Sequence, residues 1–300
     1  MTAILAATTG ADGGGAMLEA RDLRFDYRRP IVKGVSFRLA AGTVTGIVGP
    51  NGSGKTTILR LLDRILPPLG GEVYLRGGVP ISSLKRREIA REIAMVPQNG
   101  GVSDYQTVFQ FAMQGRAPHL SRLGFESAED EGIVLEALEM TALTRYRDAR
   151  VSELSGGERQ RLGLARALAQ DTPILLLDEF TANLDVNYQV ELMRLVRDIT
   201  RRKNLATLIV SHEINLLGAF CDRAILVAQG EALCQGGVAE VLTRENLRRV
   251  FGLDFSIRHL PGGKVEVLPV ISTDDATGDD GCGCGVGDAG RMRPLLAVGK

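Results

Sequence analysis

A glycine-rich octapeptide between an apolar run and a helical pattern constrains this chain more than any other feature. The run at 43–48 is short, β-branched and mostly apolar, which predicts a buried strand. It leads directly into residues 49–56, GPNGSGKT, and a helix is predicted to begin near Lys55. This matches the phosphate-loop pattern, in which glycines let backbone amides turn onto phosphate oxygens, Lys55 reaches the β- and γ-phosphates, and the Thr56 hydroxyl ligates Mg²⁺. The residues predicted to bind the nucleotide here are Gly49, Pro50, Asn51, Gly52, Ser53, Gly54, Lys55, Thr56 and Thr57.

A second apolar run, at 174–177, ends in the acidic residues Asp178 and Glu179. A buried strand delivers the residues at its carboxyl end beside a nucleotide held by a phosphate loop. Asp178 is therefore predicted to hold Mg²⁺, and Glu179 to orient or deprotonate the attacking water. Many strands end in solvated acidic residues, so this pattern indicates a nucleotide site only in combination with the phosphate loop that precedes it.

The order of the patterns predicts an α/β fold. Strand-like runs at 18–25 and 34–39 favour a small antiparallel sheet, and the later apolar runs alternate with helices, which is typical of a mostly parallel sheet covered on both faces. Helical spacing predicts an inserted helical subdomain at about 101–156. We expect a flexible leader at 1–16, one folded domain at 17–253, and a C-terminal extension at 254–300 that is disordered from about 272.

Composition excludes several classes of function. Lysine plus arginine and aspartate plus glutamate both number 36, so the net charge of zero gives no support to a nucleic-acid-binding or polybasic membrane-surface protein. No stretch approaches the roughly 18 apolar residues of a spanning helix, and the first residues lack a basic leader, so neither a membrane anchor nor a signal peptide is expected. Four cysteines are too few for a disulfide scaffold and fit a reducing cytoplasm.

Residues 154–161, LSGGERQR, indicate which kind of phosphate-loop protein this is. A Ser-Gly-Gly turn that opens a helix is a second anion-binding N-terminus, and a plain N-cap would explain Ser155 but neither glycine. In this segment the chain resembles the ATP-binding-cassette (ABC) family, whose signature motif it matches, and the resemblance covers about 18–253. It implies a phosphate-loop nucleoside triphosphatase (P-loop NTPase) core of the RecA-like type, with the small β subdomain and the inserted helical subdomain.

The resemblance also implies roles for single residues outside these motifs. Tyr27 matches the aromatic residue that stacks on adenine, and Gln98 matches the glutamine that contacts Mg²⁺ and the attacking water. His212 matches the switch histidine that contacts the γ-phosphate. The implied catalytic residues are thus Glu179, His212 and Gln98, and the implied metal ligands are Thr56, Gln98 and Asp178.

The family's mechanism implies a head-to-tail homodimer with two ATP molecules between the subunits. Ser155, Gly156 and Gly157 would contact the nucleotide of the other subunit, and Asp185 matches a loop that crosses the dimer interface. One residue departs from the pattern: Phe180 stands where the family usually has proline, which puts the stiffness of the loop beside Glu179 in question.

A single cassette on a chain without a membrane segment resembles the separate ATP-hydrolysing subunit of a bacterial importer. This implies ATP and Mg²⁺ as cofactors, a peripheral location on the cytoplasmic face of the inner membrane, and polytopic permease subunits as partners, with a substrate-binding protein acting indirectly. Stretches at 115–120, 211–215 and 236–251 resemble the subgroup that imports iron-siderophores, haem and cobalamin.

Alternatives stay open at this point. The chain could serve an importer of another solute, or be a soluble cassette ATPase, although it has neither two fused cassettes nor a coiled-coil insertion. A nonhydrolysing regulator is disfavoured because Glu179 and His212 are both present. Cys282 and Cys284 offer two thiolates, fewer than the three or four protein ligands of most metal sites, which favours a solvated extension.

Overall fold

The computed structural model describes residues 16–98, 105–120 and 126–270. Several expectations lie outside these ranges: the leader up to residue 15, the disorder predicted from about 272, and the pair Cys282 and Cys284. Within the ranges described, no helix is both long and apolar enough to cross a membrane.

The first strands form the small antiparallel sheet that the sequence predicts. Its strands, in the order β2-β1-β4-β5, are β1 (Leu18–Asp26), β2 (Pro30–Leu39), β4 (Gly70–Leu75) and β5 (Val79–Pro80). Leu18 on β1 lies opposite Leu39 on one side and Leu75 on the other. All three side chains are buried, so one face of this sheet packs into the core.

A six-stranded sheet with the order β10-β9-β3-β8-β7-β6 forms the centre of the molecule. Its strands are β3 (Thr43–Val48), β6 (Ile93–Val96), β7 (Ile174–Asp178), β8 (Ala206–Val210), β9 (Arg223–Ala228) and β10 (Glu231–Gly237). Every neighbouring pair is parallel except β9 and β10. The prediction of a mostly parallel sheet is therefore confirmed.

Both faces of the central sheet are buried, which explains why its strands are continuous apolar runs. In β7, Ile174 and Leu176 pack into one core cluster, while Leu175 and Leu177 pack into the other. The helices are α1 (Lys55–Leu62), α2 (Arg86–Glu92), α3 (Val108–Met113), α4 (Ala128–Met140), α5 (Gly156–Ala169), α6 (Val186–Arg202), α7 (Ile214–Phe220), α8 (Val238–Val241) and α9 (Arg244–Phe251). Helices α5 and α6 lie between β6, β7 and β8 in the chain, which confirms the predicted alternation of apolar strands with helices.

Helices α3 and α4 build the inserted subdomain and pack against α5. The first turn of α4 carries a buried ion pair, in which Arg116 Nε lies 2.8 Å from Asp130 Oδ1. Ser127 and Arg116 both donate hydrogen bonds to Asp130 and lower its pKa to about 2. Arg116 also donates to the Ala169 carbonyl at 3.0 Å, which joins the subdomain to the last turn of α5.

A hairpin of β11 (Phe255–Leu260) and β12 (Lys264–Pro269) follows α9, where the sequence analysis assigned no element. Phe255, Val265 and Val267 contribute to one of the two core clusters. Gly218 on α7 approaches this hairpin so closely that a Cβ there would lie 2.4 Å from the Val265 carbonyl oxygen. The folded region of the chain therefore continues past residue 253, the predicted end of the domain.

Candidate active site

The loop between β3 and α1 closes around the Lys55 side chain. Gly52 and Gly54 have φ angles of 77° and 98°, which residues with a side chain rarely adopt. Lys55 Nζ donates a hydrogen bond to the Gly49 carbonyl at 2.8 Å. A Cβ at Gly49 would lie 2.0 Å from the Val227 carbonyl oxygen, so the start of the loop is packed tightly against β9. The octapeptide thus forms a preformed turn around a buried ammonium group.

The interior of this loop carries two features that suit an anion. Burial lowers the pKa of Lys55, although the charges of Glu179 and Asp178 partly offset this effect. The Ser53 hydroxyl is buried and has no hydrogen-bond partner among the residues described. Leaving a buried polar group without a partner is unfavourable, and a bound phosphate would supply an acceptor to the Ser53 hydroxyl and an opposite charge to the Lys55 ammonium group. Asn51 is exposed at the loop tip, whereas Pro50, Thr56 and Thr57 are partly buried.

Thr56 and Asp178 meet where the first turn of α1 faces the carboxyl end of β7. The Thr56 hydroxyl donates to Asp178 Oδ1 at 3.1 Å. Burial raises the pKa of Asp178, and the bond from Thr56 opposes that rise. A hydroxyl oxygen beside a buried carboxylate fits Mg²⁺, which takes oxygen ligands and binds through one or two carboxylates together with substrate phosphates.

Gln98 and Glu179 form the second contact at this edge of the sheet. The Gln98 side-chain amide donates a hydrogen bond to Glu179 Oε2. The Glu179 backbone amide donates to the Val210 carbonyl at 2.9 Å, and its φ angle of 45° lies in the left-handed region. Phe180 is 1% exposed and packs into the core. Burial of Phe180 therefore anchors the loop in which the family usually has proline.

His212 follows β8 at the same edge of the central sheet. Val210, two residues earlier, is paired with Ile47 of β3 and with Asp178 of β7, so His212 lies between the ends of these strands. Its side chain is half exposed, and Nε2 lies 3.5 Å from Glu213 Oε1.

The signature turn at the start of α5 is held in shape by its own residues. Ser155 Oγ donates to Glu158 Oε2 at 2.7 Å, and the Glu158 amide donates back to Ser155 Oγ at 3.4 Å. Hydrogen bonds from Tyr146 and Ser155 lower the pKa of Glu158, so this cap stays ionised at neutral pH. Ser155 and Gly156 are exposed and Gly157 is partly exposed. The turn is therefore formed and open to solvent.

Asp185 and Tyr27 occupy two further exposed positions. Asp185 caps α6 by accepting a hydrogen bond from the Tyr188 amide at 3.1 Å. Tyr27 is 56% exposed and packs edge-on against Phe25, with 4.9 Å between ring centroids. A Cβ at Gly54 would lie 3.0 Å from the Ile31 carbonyl oxygen, so the start of β2, which follows the turn that carries Tyr27, borders the phosphate loop.

The structure divides the predicted residues into two surfaces. Lys55, Thr56, Gln98, Asp178 and Glu179 converge at the carboxyl edge of the central sheet. The signature turn and the Asp185 loop lie on exposed helix starts, and no hydrogen bond among the residues described joins them to the phosphate loop.

The sequence did not predict the residues that hold β3 in place through the Val44 amide. The Val44 amide donates to Asp222 Oδ2 at 3.1 Å, and Lys264 Nζ donates to Asp222 Oδ1 at 2.9 Å. Val44 and Asp222 are 178 positions apart in the chain, so no local spacing could reveal their contact.

The buried ammonium group in a glycine loop, with a carboxylate delivered beside it by a parallel strand, defines a phosphate-loop nucleotide-binding protein. The family model described as "ABC transporter" matches residues 32–182. The chain belongs to this family, as the signature turn predicts.

Known proteins resemble the chain well beyond this region. It is 37% identical over 250 residues to the cobalamin import ATP-binding protein BtuD of Halobacterium salinarum, an alignment that covers 83% of this chain and 62% of that protein. The chain therefore spans less than two thirds of this relative. It is 34% identical over 264 residues to the ferric enterobactin transport ATP-binding protein FepC of Escherichia coli, covering 87% of this chain and 97% of that protein.

A solved structure described as a metal-chelate type ABC transporter in an inward-facing conformation has a TM-score of 0.75 and 25% identity. The alignment covers 86% of this chain and 99% of that one. The predicted fold class is confirmed by this likeness.

Proposed function

We propose that this chain binds ATP with Mg²⁺ and hydrolyses it at the interface of a head-to-tail homodimer, as the ATPase subunit of a metal-chelate importer. The observation that carries the proposal is the convergence of Lys55, Thr56, Asp178, Gln98 and Glu179 at one edge of the sheet. The exposed signature turn, at the start of α5, is the group of donors that would contact the nucleotide bound to a second subunit.

The phosphate loop holds the triphosphate of the substrate. Lys55, now bound to the Gly49 carbonyl, turns its ammonium group to the β- and γ-phosphates, and the Ser53 hydroxyl gains its missing partner. Tyr27, exposed beside the loop, stacks on the adenine ring. Thr56, Asp178 and Gln98 supply the protein oxygens for Mg²⁺, which neutralises charge on the phosphates when bound.

Glu179 receives the proton of the attacking water or holds that water in line with the γ-phosphate. Its contact with Gln98 keeps both side chains at the same point of the sheet edge. His212 follows β8, between the phosphate loop and Glu179. From this position its side chain turns from Glu213 toward the γ-phosphate.

The homodimer completes the site. Ser155, Gly156 and Gly157 of one subunit meet the γ-phosphate bound to the other, and Asp185 lies in the same interface. Phosphoryl transfer depends on positioning and charge stabilisation, so donors that arrive from a second subunit can control the rate strongly. Closure of the dimer is then the step that links ATP binding to transport.

A cleft of about 620 Å³ between the core and the helical subdomain offers a surface for the permease. One end of the cleft, at Thr56 and Asp178, belongs to the Mg²⁺ site, and the other end, at the 115–118 segment, is left for the permease. Arg60, Arg86 and Arg166 line the cleft, and Arg86 is paired with Asp63 at 3.0 Å. Burial disfavours the charged form of Arg166 and lowers its pKa, and an acidic side chain from a cytoplasmic segment of the permease would offset that cost. This docking places the chain on the cytoplasmic face of the membrane, with a substrate-binding protein acting on the other side.

The choice of cargo follows the relatives, which include import proteins for cobalamin and ferric enterobactin. We therefore assign a metal chelate of the iron-siderophore, haem or cobalamin type as the transported solute.

The ATPase rate of the purified full chain tests the proposal together with that of Glu179→Gln. We expect Glu179→Gln to bind ATP but to hydrolyse it about 10² to 10⁴ times more slowly, the usual contribution of a general base. Glu231→Gln, which changes an exposed glutamate on the far strand β10, is the matched control and should keep the full rate. Near-normal turnover by Glu179→Gln would contradict the assignment of the base.

Uptake of radiolabelled iron chelates and cobalamin by cells that carry the cognate permease tests the cargo. Uptake of one of them that depends on Glu179 supports the importer. Intact ATPase activity without uptake of any metal chelate would favour another solute or a soluble cassette ATPase.

A further inference from the structure

The start of α5 and the start of α6 lie side by side, joined by the ring of Tyr188. A Cβ at Gly157 would lie 3.0 Å from Tyr188 Cδ1 and 3.3 Å from Cε1. The aromatic ring therefore packs directly on the backbone of the signature turn. Glycine at 157 permits this approach, because a Cβ there would force the ring to shift slightly.

A second contact repeats this pairing one turn further along both helices. Arg161 Nη2 lies 2.8 Å from Glu191 Oε2. Gly157 and Arg161 are four residues apart on α5, and Tyr188 and Glu191 are three apart on α6, so each pair shares one helix face. The side chain of Glu191 is 56% exposed, and exposed ion pairs are weak. The ring of Tyr188 is thus the stronger of the two contacts.

Tyr188 is tied at the same time to the loop that precedes α6. Its amide donates to Asp185 Oδ1, and the next residue, Gln189, donates through Nε2 to the Thr181 carbonyl at 3.3 Å. The chain from Glu179 to Asp185 is therefore anchored to the first turn of α6. One residue, Tyr188, joins this loop through its backbone and the signature turn through its ring.

We infer that Tyr188 is a positioning residue that holds the signature turn and the Asp185 loop in one fixed arrangement, so that both reach the nucleotide of the other subunit together. The inference rests on the proposed head-to-tail dimer. Tyr188 acts through Gly157 and Asp185 and does not itself touch the reacting atoms. The ring face makes the contact, so phenylalanine should replace tyrosine without loss, whereas alanine should not.

Three variants of the full chain test this role: Tyr188→Ala, Tyr188→Phe and the control Tyr105→Ala, which removes a tyrosine that is 89% exposed. Misplacement of a positioned group by about 1 Å can lower a rate roughly 10²-fold, so we expect Tyr188→Ala to lower kcat by about 10- to 100-fold. ATP binding to the separate subunit should be unchanged, since the phosphate loop is intact. Equal kcat for Tyr188→Ala and wild type would overturn the inference.

Mixing subunits separates an effect on the partner's site from general damage. In a dimer of Tyr188→Ala with Glu179→Gln, the site with an intact Glu179 meets an intact signature turn. Adding the inactive Glu179→Gln chain should therefore raise the ATPase activity of Tyr188→Ala at least several-fold. Absence of any rise would show that Tyr188 serves its own subunit's site, and would overturn the inference.

Size-exclusion chromatography of Glu179→Gln with ATP keeps the two proposals distinguishable. If Glu179→Gln dimerises with ATP and the double variant Tyr188→Ala/Glu179→Gln does so equally well, the inference fails while the proposed dimer stands. If Glu179→Gln itself stays monomeric with ATP, the proposed dimer fails and the inference falls with it. Dimerisation of Glu179→Gln and of its Tyr188→Phe derivative, but not of the Tyr188→Ala derivative, supports both.

Discussion

Replacing Lys264 by methionine should destabilise the protein by removing the link between the C-terminal hairpin and the strand that leads into the phosphate loop. Lys264 is 8% exposed, and its ammonium group donates to the Cys221 carbonyl at 2.5 Å and to Asp222 Oδ1 at 2.9 Å. Asp222 in turn accepts the Val44 amide of β3. Methionine keeps the packing of the side-chain stem and loses both hydrogen bonds.

The expected loss follows from these contacts. Removing one partner of a buried ion pair costs about 3–5 kcal/mol. Asp222 keeps the Val44 amide and lies 3.6 Å from Arg201, and its side chain is 27% exposed, so the lower end of that range applies. We therefore expect Lys264→Met to lower the free energy of unfolding by about 3 kcal/mol.

Urea unfolding of the full chain, followed by circular dichroism, measures this quantity. A double-mutant cycle with Asp222→Asn should give a coupling energy of about 2 kcal/mol, within the range for residues in direct contact. Lys203→Met is the matched control, because its partner Glu136 is 55% exposed and the pair should contribute at most about 1 kcal/mol. A loss for Lys264→Met no larger than that of the control would show that the Lys264 contacts do not stabilise the fold.

The dependence on pH provides an independent check of the same contact. Burial would raise the pKa of Asp222, but the hydrogen bonds from Lys264 and the Val44 amide outweigh it and hold the pKa below its usual value. A lowered pKa contributes stability that is present above the unfolded pKa of about 4 and is lost as the pH falls through the folded pKa. The difference in the free energy of unfolding between wild type and Lys264→Met should therefore become smaller below about pH 4.

Four further substitutions probe the packing of the site and of the helical subdomain. Gly49→Ala should prevent folding, because the new Cβ would lie 2.0 Å from a carbonyl oxygen, while Gly156→Ala, with nothing within 4 Å, should keep thermal stability and still lose ATPase activity at the dimer interface. Asp130→Asn should lower the free energy of unfolding by about 3 kcal/mol in urea, since it leaves Arg116 buried without its anion. Phe180→Ala should cost about 3–5 kcal/mol in the same assay, because the side chain is 1% exposed.

The sequence predicted those parts of the fold whose cause is local. The β-branched run before the phosphate loop, the apolar run ending at Asp178 and the Ser155 cap each fix their own secondary structure within a few residues. The central strands could be recognised because a strand buried on both faces is apolar throughout. Lys55, Thr56, Asp178 and Glu179 could be grouped because parallel strands deliver their carboxyl ends to one side of a sheet. Gln98, the fifth residue at this edge, was assigned only through the resemblance to the family.

Contacts between distant segments could not be predicted in this way. In the hairpin at 255–269, buried and exposed residues alternate only weakly, and their burial depends on packing against α7. The sequence therefore did not predict its two strands. The Asp222 and Lys264 pair and the ring of Tyr188 on Gly157 arise only when the helices and strands pack. Both contacts join residues that are far apart in the chain, and no helical or strand periodicity relates their positions.

In the proposed dimer, two copies of this chain enclose two ATP molecules. Native mass spectrometry of the Glu179→Gln variant of this chain with ATP and Mg²⁺ can detect this dimer, because slow hydrolysis should trap the closed state. We expect a species of two chains with two bound ATP molecules, which disappears when Ser155 and Gly157 are replaced by bulkier residues. A monomer that carries one ATP and never pairs at any ATP concentration would contradict it.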